Sequence, residues 1–383
     1  MSKTQVATGG IADDAVSTSK ILNDIRIVTP IIINGDMSVA QRATSVTGKT
    51  GAGIYTVDRM RLSPGGGMTF TVAQASESPT GQGFTKSYKV TSTTGDSSMS
   101  SSEYNIPLQM KMEGNTLQSI KKGTSNAEKI TFAFWIYATV TGTYILELND
   151  DDNNRYNSQS YTVSSANTWE KKIVTFPADT TGAFDNDNAK SLTINFWGGA
   201  GSDFSSGTLA TSWGGADDTT RAVGQVNAFA SNNNVWQITG LQLEVGEFDT
   251  NTIPSFPFES FGNNLRKCQR YYLHYLSGNN KLVGSGIAYS SNQANVPIHF
   301  PTTMRTSPSL DADTGTAYYR VLGSNSSGNG YVDDFNAFVI DRAHENATGL
   351  FINTSDGFSG TGGGGFYMIT ENSSASIAFD AEL

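Results

Sequence analysis

Cysteine is nearly missing from these 383 residues. Cys268 is the only one, so no disulfide can form within the chain. The fold must be held by burial and strand pairing alone. Charge is scarce too: Asp, Glu, Lys and Arg make up 16% of the chain, against about a quarter in an ordinary globular protein. What charge there is leans acidic, to a formal net value of −10, which argues against a nucleic-acid partner. Histidine occurs three times, at His274, His299 and His344. None is spaced with another His, or with a Cys or Asp motif, as metal ligands are, so each reads as a surface or packing residue. No apolar run approaches the length of a membrane-spanning helix. The first ten residues lack the apolar centre of a signal peptide, so synthesis in the cytosol without secretory export is expected.

Ser, Thr, Asn and 40 Gly fill the space that charge leaves. Such a polar, turn-rich composition suits an all-β protein. Short strands are predicted at 55–62, 68–73, 85–91, 106–112, 171–176 and 192–197. The clearest is 129–137, with Ile130, Phe132, Phe134 and Ile136 on one face and Ala133, Trp135 and Tyr137 on the other. Both faces are apolar, as in a central strand. A turn at Thr141-Gly142 predicts a hairpin between it and 144–148.

From Trp236 the apolar parity switches: Trp236 and Ile238 share one phase, Leu241, Leu243 and Val245 the other. Period-two alternation cannot switch without an extra residue, so a bulge is predicted at Thr239-Gly240. Residues 28–250 thus read as a jelly-roll β-sandwich. Residues 251–277 form a linker with Pro254 and Pro257 and a short amphipathic segment. Its apolar positions Phe258, Phe261, Leu265, Cys268, Tyr272 and Tyr275 fit one short helix laid on the sandwich, with a strand from Tyr271 onward, or a helix packed on symmetry mates. Residues 278–383 read as a second β-sandwich with strands at 282–289, 295–300, 317–322, 337–341, 349–353, 365–370 and 376–379. The expected fold class is therefore all-β, two sandwiches with an extended N-terminal segment. Residues 1–27 cannot make a core alone; they are either a disordered tail or a segment that anchors and oligomerises the chain.

Several motifs resemble a family of tailed-bacteriophage tail-fibre and virion structural proteins. One is Ile33-Asn34-Gly35-Asp36-Met37-Ser38-Val39-Ala40-Gln41-Arg42, followed by Tyr55-Thr56-Val57-Asp58-Arg59. Another is Gln242-Leu243-Glu244-Val245-Gly246, then Pro257-Phe258-Glu259 and Cys268-Gln269-Arg270-Tyr271-Tyr272. Phe300-Pro301-Thr302-Thr303-Met304-Arg305-Thr306-Ser307-Pro308 is similar to the C-terminal part of the same family. The resemblance implies a homotrimeric fibre in the virion, attached to other tail or capsid proteins through residues 1–27. It further implies a first sandwich similar to carbohydrate-binding modules and contact with host-surface glycan. A purely structural head fibre or connector without a ligand, and a polysaccharide depolymerase spike, remain open beside the tail fibre.

The residues themselves support no catalysis. Asp217-Asp218 and Asp333-Asp334 are adjacent loop pairs without the set separation that glycoside hydrolysis needs, and no serine lies in a nucleophile-elbow motif. Asp150-Asp151-Asp152-Asn153-Asn154 begins like a calcium loop. Arg155 stands where its turn glycine belongs and Tyr161 where its bidentate glutamate belongs. No cofactor is expected, a structural calcium being the one left open. Sugar binding needs an aromatic face beside hydrogen-bonding groups. Trp197 and Trp213, in glycine-rich surroundings, with Asp217 and Asp218, are the candidates. The alternative is that both rings cap the sandwich core. The loop 357–366 is a second candidate tip.

Overall fold

The computed structural model describes residues 30–290, 293–324, 327–352 and 364–383. The 1–27 segment and most of the 357–366 loop lie outside the described residues. The described chain is predominantly β, in antiparallel sheets that form two sandwiches.

The first sandwich packs a six-stranded sheet on an eight-stranded one. The six strands run, edge to edge, Ser45–Lys49, Thr69–Ala75, Ser87–Thr94, Val235–Val245, Ile130–Ala138 and Glu170–Phe176. The other sheet runs Gly214–Gly215, Arg155–Val163, Gly142–Asp150, Lys190–Phe196, Tyr104–Glu113, Arg61–Gly65 and Ile54–Tyr55, with Gly199–Ala200 added on Tyr104–Glu113. Alternate residues meet between the sheets. Phe70, Phe132, Phe134, Trp236 and Ile238 come from one; Leu108, Met110, Leu146, Leu148, Ile194 and Phe196 come from the other. The predicted bulge is present: the Val235–Val245 strand shifts register against Ile130–Ala138 between Thr239 and Gln242, and Gly240 takes φ +64°. Trp236, Ile238, Leu241 and Leu243 all reach one core because of it.

Two local expectations fail. The strand from Gly142 does not pair back on Ile130–Ala138. It crosses to the opposite sheet, where it pairs with Arg155–Val163 and Lys190–Phe196. Both strands bury apolar side chains, and the 139–141 link serves a crossover between sheets as readily as a hairpin. The alternating run 55–62 is not one strand either. Arg59 takes φ +71°, and a turn closes from the Met60 amide to the Val57 carbonyl, so pairing stops at Tyr55 and resumes at Arg61.

After the linker, the Ser260 hydroxyl caps a helix over Phe261–Gln269. The apolar seam defines its buried side only in part: Cys268 is buried, but Phe258 and Phe261 are exposed and Asn264, outside the seam, is buried. Polar bonding explains the choice. The Asn264 amide donates to Asn34 Oδ1, Asp36 Oδ1 and Ser38 Oγ, and its carbonyl accepts from the Asn34 backbone at 3.1 Å. The chain then enters the strand Tyr272–Ser277, which pairs with Ser376–Asp380 and, through it, Ser309–Ala312. These three strands pack on a seven-stranded sheet. Its order is Gly330–Phe335, Tyr319–Ser324, Gly365–Thr370, Leu282–Ser290, Gln293–His299, Ala347–Ile352 and Phe338–His344. Leu273, Ile377 and Phe379 meet Val296, Val321, Leu350 and Met368 in a separate core.

A polar joint ties the sandwiches. Glu113, fully buried, accepts from Arg270 Nε at 2.8 Å and Nη2 at 2.6 Å and from the Tyr271 hydroxyl. Burial pushes the Glu113 carboxyl up, but those hydrogen bonds overcome it and hold the group below the usual carboxylate range. The Arg59 guanidinium lies under the Tyr271 ring and pairs with Glu382. Arg42 lies over Tyr272 at 3.5 Å and pairs with Asp380 at 3.2 Å.

Candidate functional site

The outer face of the eight-stranded sheet is polar in a pattern that strand register alone defines. Arg61, Gln109, Asn195, Glu147 and Ser158 are successive cross-strand partners over five strands. One step along, Lys111, Thr193, Asn149 and Tyr156 form a second row. Each strand places its apolar residues, such as Leu108, Met110, Leu146, Leu148 and Ile194, on the other face in the core. Gln109 Nε2 donates to Asn195 Oδ1 at 2.9 Å, and Asn195 Nδ2 donates to Glu147 Oε2 at 2.9 Å. Arg61 donates to Gln109 Oε1, so one hydrogen-bonded chain crosses the sheet.

One end of this face is covered. Ile106, Ile145, Trp197 and Ala222 make a small separate core, beneath Phe204 and Leu209. Arg221 closes its edge, with Nε on Glu147 Oε1 at 2.6 Å and Nη1 on Asp218 Oδ1 at 3.0 Å. Burial works to lower the Arg221 pKa, but the adjacent Glu147 carboxylate more than offsets it and holds the guanidinium charged. The other end meets the second sandwich, where Lys111 Nζ donates to the Leu383 carbonyl at 2.7 Å. Between the ends, Arg61, Gln109, Lys111, Asn149 and Tyr156 are part-exposed. Asp151 lies alongside, bonded to Thr193 Oγ1 at 2.6 Å and paired with Lys190. Burial raises the Asp151 carboxyl against the pull of Lys190. Burial, with Arg61 and Lys190 nearby, lowers the Lys111 ammonium. The face offers amide donors and acceptors, both signs of charge and one aromatic ring, the set that a poly-hydroxylated ligand requires.

The residues singled out from sequence fall around this face unevenly. Trp197 is 1% exposed, which is the capping alternative for this ring: the indole packs on Phe204 and donates to Glu147 Oε2 at 3.0 Å. It supports the polar row from beneath. Asp218 joins that row through Arg221. Asp217 caps the short 3-10 turn Asp218–Thr220, its carboxylate accepting from the Thr219 amide. Trp213 is directed elsewhere. Its Nε1 donates to the Pro177 carbonyl at 2.8 Å, and its ring packs beside Lys122. Sequence reading missed Gln109, Asn149, Asn195, Glu147, Tyr156 and Arg221. A signal was there in Leu108-Gln109-Met110-Lys111-Met112 and Leu146-Glu147-Leu148-Asn149, where amides and charges alternate with core residues.

The candidate calcium loop is organised around a side-chain cation. Asp150 accepts from Lys122 Nζ and from Asn153 Nδ2, and Lys122 also meets Asp179 Oδ2 at 3.0 Å and the carbonyls of Thr181 at 3.1 Å and Gly182 at 2.7 Å. Among the described residues no cluster of three or more His, Cys, Asp or Glu is placed to hold a metal.

No family model and no curated protein matches the chain. Among solved structures, it is similar to the enzymatically active domain of tailspike protein 4 of bacteriophage CBA120, at 11% identity and a TM-score of 0.29 over 56% of this chain. That match covers 21% of the tailspike chain, so this chain spans about a fifth of its length. A family 11 carbohydrate-binding module from a cellulosomal cellulase of Clostridium thermocellum matches 52% of this chain and 99% of its own, at 12% identity and a TM-score of 0.28. A xylan-binding domain from Paenibacillus barcinonensis matches 54% and 94%, at 12% identity and a TM-score of 0.25. At these scores the likenesses carry no weight of their own.

Proposed function

We propose that the chain is a non-enzymatic attachment protein of a phage virion: a homotrimeric tail fibre, joined to the particle through residues 1–27, that recognises host-surface glycan. The observation that carries the binding part is the part-exposed stretch of the two polar rows, Arg61, Gln109, Lys111, Asn149 and Tyr156, on the outer face of the eight-stranded sheet. A sugar laid across them would meet Gln109 and Asn149 as paired donors and acceptors, beside the Tyr156 ring, over which the Arg221 guanidinium lies at 4.8 Å. The motifs from 33 to 42 and 257 to 308 support the virion part by resemblance. The stiff joint around Glu113 also fits a structural connector, which would leave the polar face unoccupied.

The test is a glycan array with the full-length chain and the variants Gln109→Ala, Asn149→Ala and Tyr156→Ala. Binding to a host polysaccharide is expected, with each variant weakened by about tenfold or more, the equivalent of losing one or two hydrogen bonds. Variants that bind like the wild type would remove this face as the site, and a blank array would favour the connector. Release of oligosaccharides from the bound polysaccharide would overturn the non-enzymatic reading.

A further inference from the structure

The second sandwich has two outer faces, and among the described residues one of them meets the first sandwich. The three-stranded sheet turns its outer side to the first sandwich: Arg42 lies over Tyr272, Gln41 Nε2 donates to the Tyr272 carbonyl at 2.6 Å, and the His274 ring meets the Gln41 carbonyl at 2.9 Å. The outer face of the seven-stranded sheet is unpartnered among the described residues, and it carries a set of exposed large apolar side chains between polar ones. Leu282, Ile287, Tyr289, Val332, Val339 and Tyr367 are between 37% and 81% exposed. All six lie on strands of this one sheet. Register makes them neighbours. Val332, Leu322 and Tyr367 are cross-strand partners in one row, and Asn295, Phe351 and Val339 in another. Their alternate residues Val283, Ala288, Val321 and Met368 point into the core, so the exposed set follows from the pleat.

We infer that this face is where copies of the chain associate. Ordinary whole-residue areas weighted by the exposures put the six residues at on the order of 700 Å², close to the ~800 Å² per partner of a standard interface. Charge favours a second copy over a different partner. A chain of net charge −10 repels its own kind across most of its surface. Here the ionised groups nearly balance: Arg320 pairs with Asp334 at 2.6 Å and Glu371 at 2.7 Å, and Arg342 lies beside Asp341. An apolar middle with both signs of charge at its margin lets copies meet about a common axis, one part of the face against a different part of its neighbour's.

The inference rests on the oligomeric part of the function proposed above and supplies its surface. The test is light scattering on the full-length chain over a concentration series, beside the variants Ile287→Lys and Tyr367→Lys. Both positions are exposed, and circular dichroism checks that each variant keeps its fold. The wild type is expected to be a multiple of one chain, and each lysine to weaken association by about a hundredfold or more. A wild type that stays a single chain would overturn the oligomer and this face together. A multimer that both variants leave intact would overturn the face alone. The Tyr156→Ala protein should remain a multimer, which keeps glycan recognition and assembly separable; loss of assembly in that variant would also count against the face.

Discussion

Lys122 is the residue whose removal tests the packing logic of the first sandwich most sharply. Its side chain is 2% exposed and lies between Asp150 at 0% and Asp179 at 5%. Asp179 has a second cation, Arg155, whose Nε donates at 2.9 Å and Nη2 at 3.1 Å, and it also accepts from the Thr181 amide. Among the described residues Asp150 has none: without Lys122 it keeps the hydrogen bonds from Asn153. The variant Lys122→Met preserves the aliphatic stem beside Phe184 and Trp213 and removes the charge alone. Breaking one side of a buried ion pair costs about 3–5 kcal/mol, because the surviving charge stays desolvated. For a sandwich of this size that lowers the melting temperature by roughly 6–20 °C. Calorimetry resolves the first transition, and urea unfolding gives the free energy independently. The double variant Lys122→Met/Asp150→Asn should recover much of the loss, since no orphan charge remains. A Lys122→Met protein within about 0.5 kcal/mol of the wild type would refute the reasoning, because that is the range of an ordinary surface change.

The same oxygen cage makes a metal prediction. Chelator should leave the wild-type melting temperature unchanged, because the ammonium takes the cation's place. Lys122→Gly should melt higher in millimolar calcium than in magnesium, since carboxylates and carbonyls remain as hard ligands. Acid should weaken the fold. Burial pushes the Glu113 and Asp179 carboxyls up, but hydrogen bonds from Arg270 and Tyr271, and from Arg155 and Lys122, hold them below their ordinary values. Groups whose folded pKa is depressed stabilise above the unfolded value of about 4 and lose that contribution as pH falls through the folded one. The urea midpoint should therefore drop as pH falls below about 4; a midpoint unchanged at pH 3 would contradict the assignment. Asn34→Ala should cost about 2–4 kcal/mol by chemical denaturation, since it leaves several buried partners without bonds. Asn34→Gly keeps the left-handed backbone, φ +61°, and isolates the side-chain share.

Much of the fold could be read from alternation, and the failures have physical causes. The bulge at Gly240 was legible because two apolar phases in one strand admit few other solutions. The strand Arg155–Val163 was not: only Tyr161 and Val163 of its residues join the core, and its remaining positions are mostly polar. The crossover at Gly142 was illegible because sheet membership is a long-range property that a short turn does not specify. The site was harder still. Trp197 drew attention as an aromatic near glycines, yet burial made it a support, and the amides that line the open face looked like filler.

Several of the sequence motifs meet at one joint. Asn34 accepts from the Val39 amide at 2.9 Å and donates to the Val39 and Asp58 carbonyls, each at 2.9 Å. The bulged Leu241 amide bonds to the Gly35 carbonyl at 2.9 Å, and a Cβ at Gly35 would lie 2.1 Å from the Leu241 oxygen, so only glycine fits there. Asn264 then locks the helix to Asn34, and Arg270, Tyr271 and Arg305 reach across to the opposite sandwich. The sequence likeness therefore follows the part of the molecule that sets the angle between two sandwiches. Gln109, Asn149 and Tyr156 lie on strands that hold none of those motifs. Exchanging these three residues should change what the face binds while the melting temperature stays within a few degrees of the wild type. Exchanging Asn34, Asn264 or Arg270 should lower stability and leave ligand choice alone. A joint variant with altered ligand choice and wild-type stability would break that division, and with it the case for separating scaffold from site.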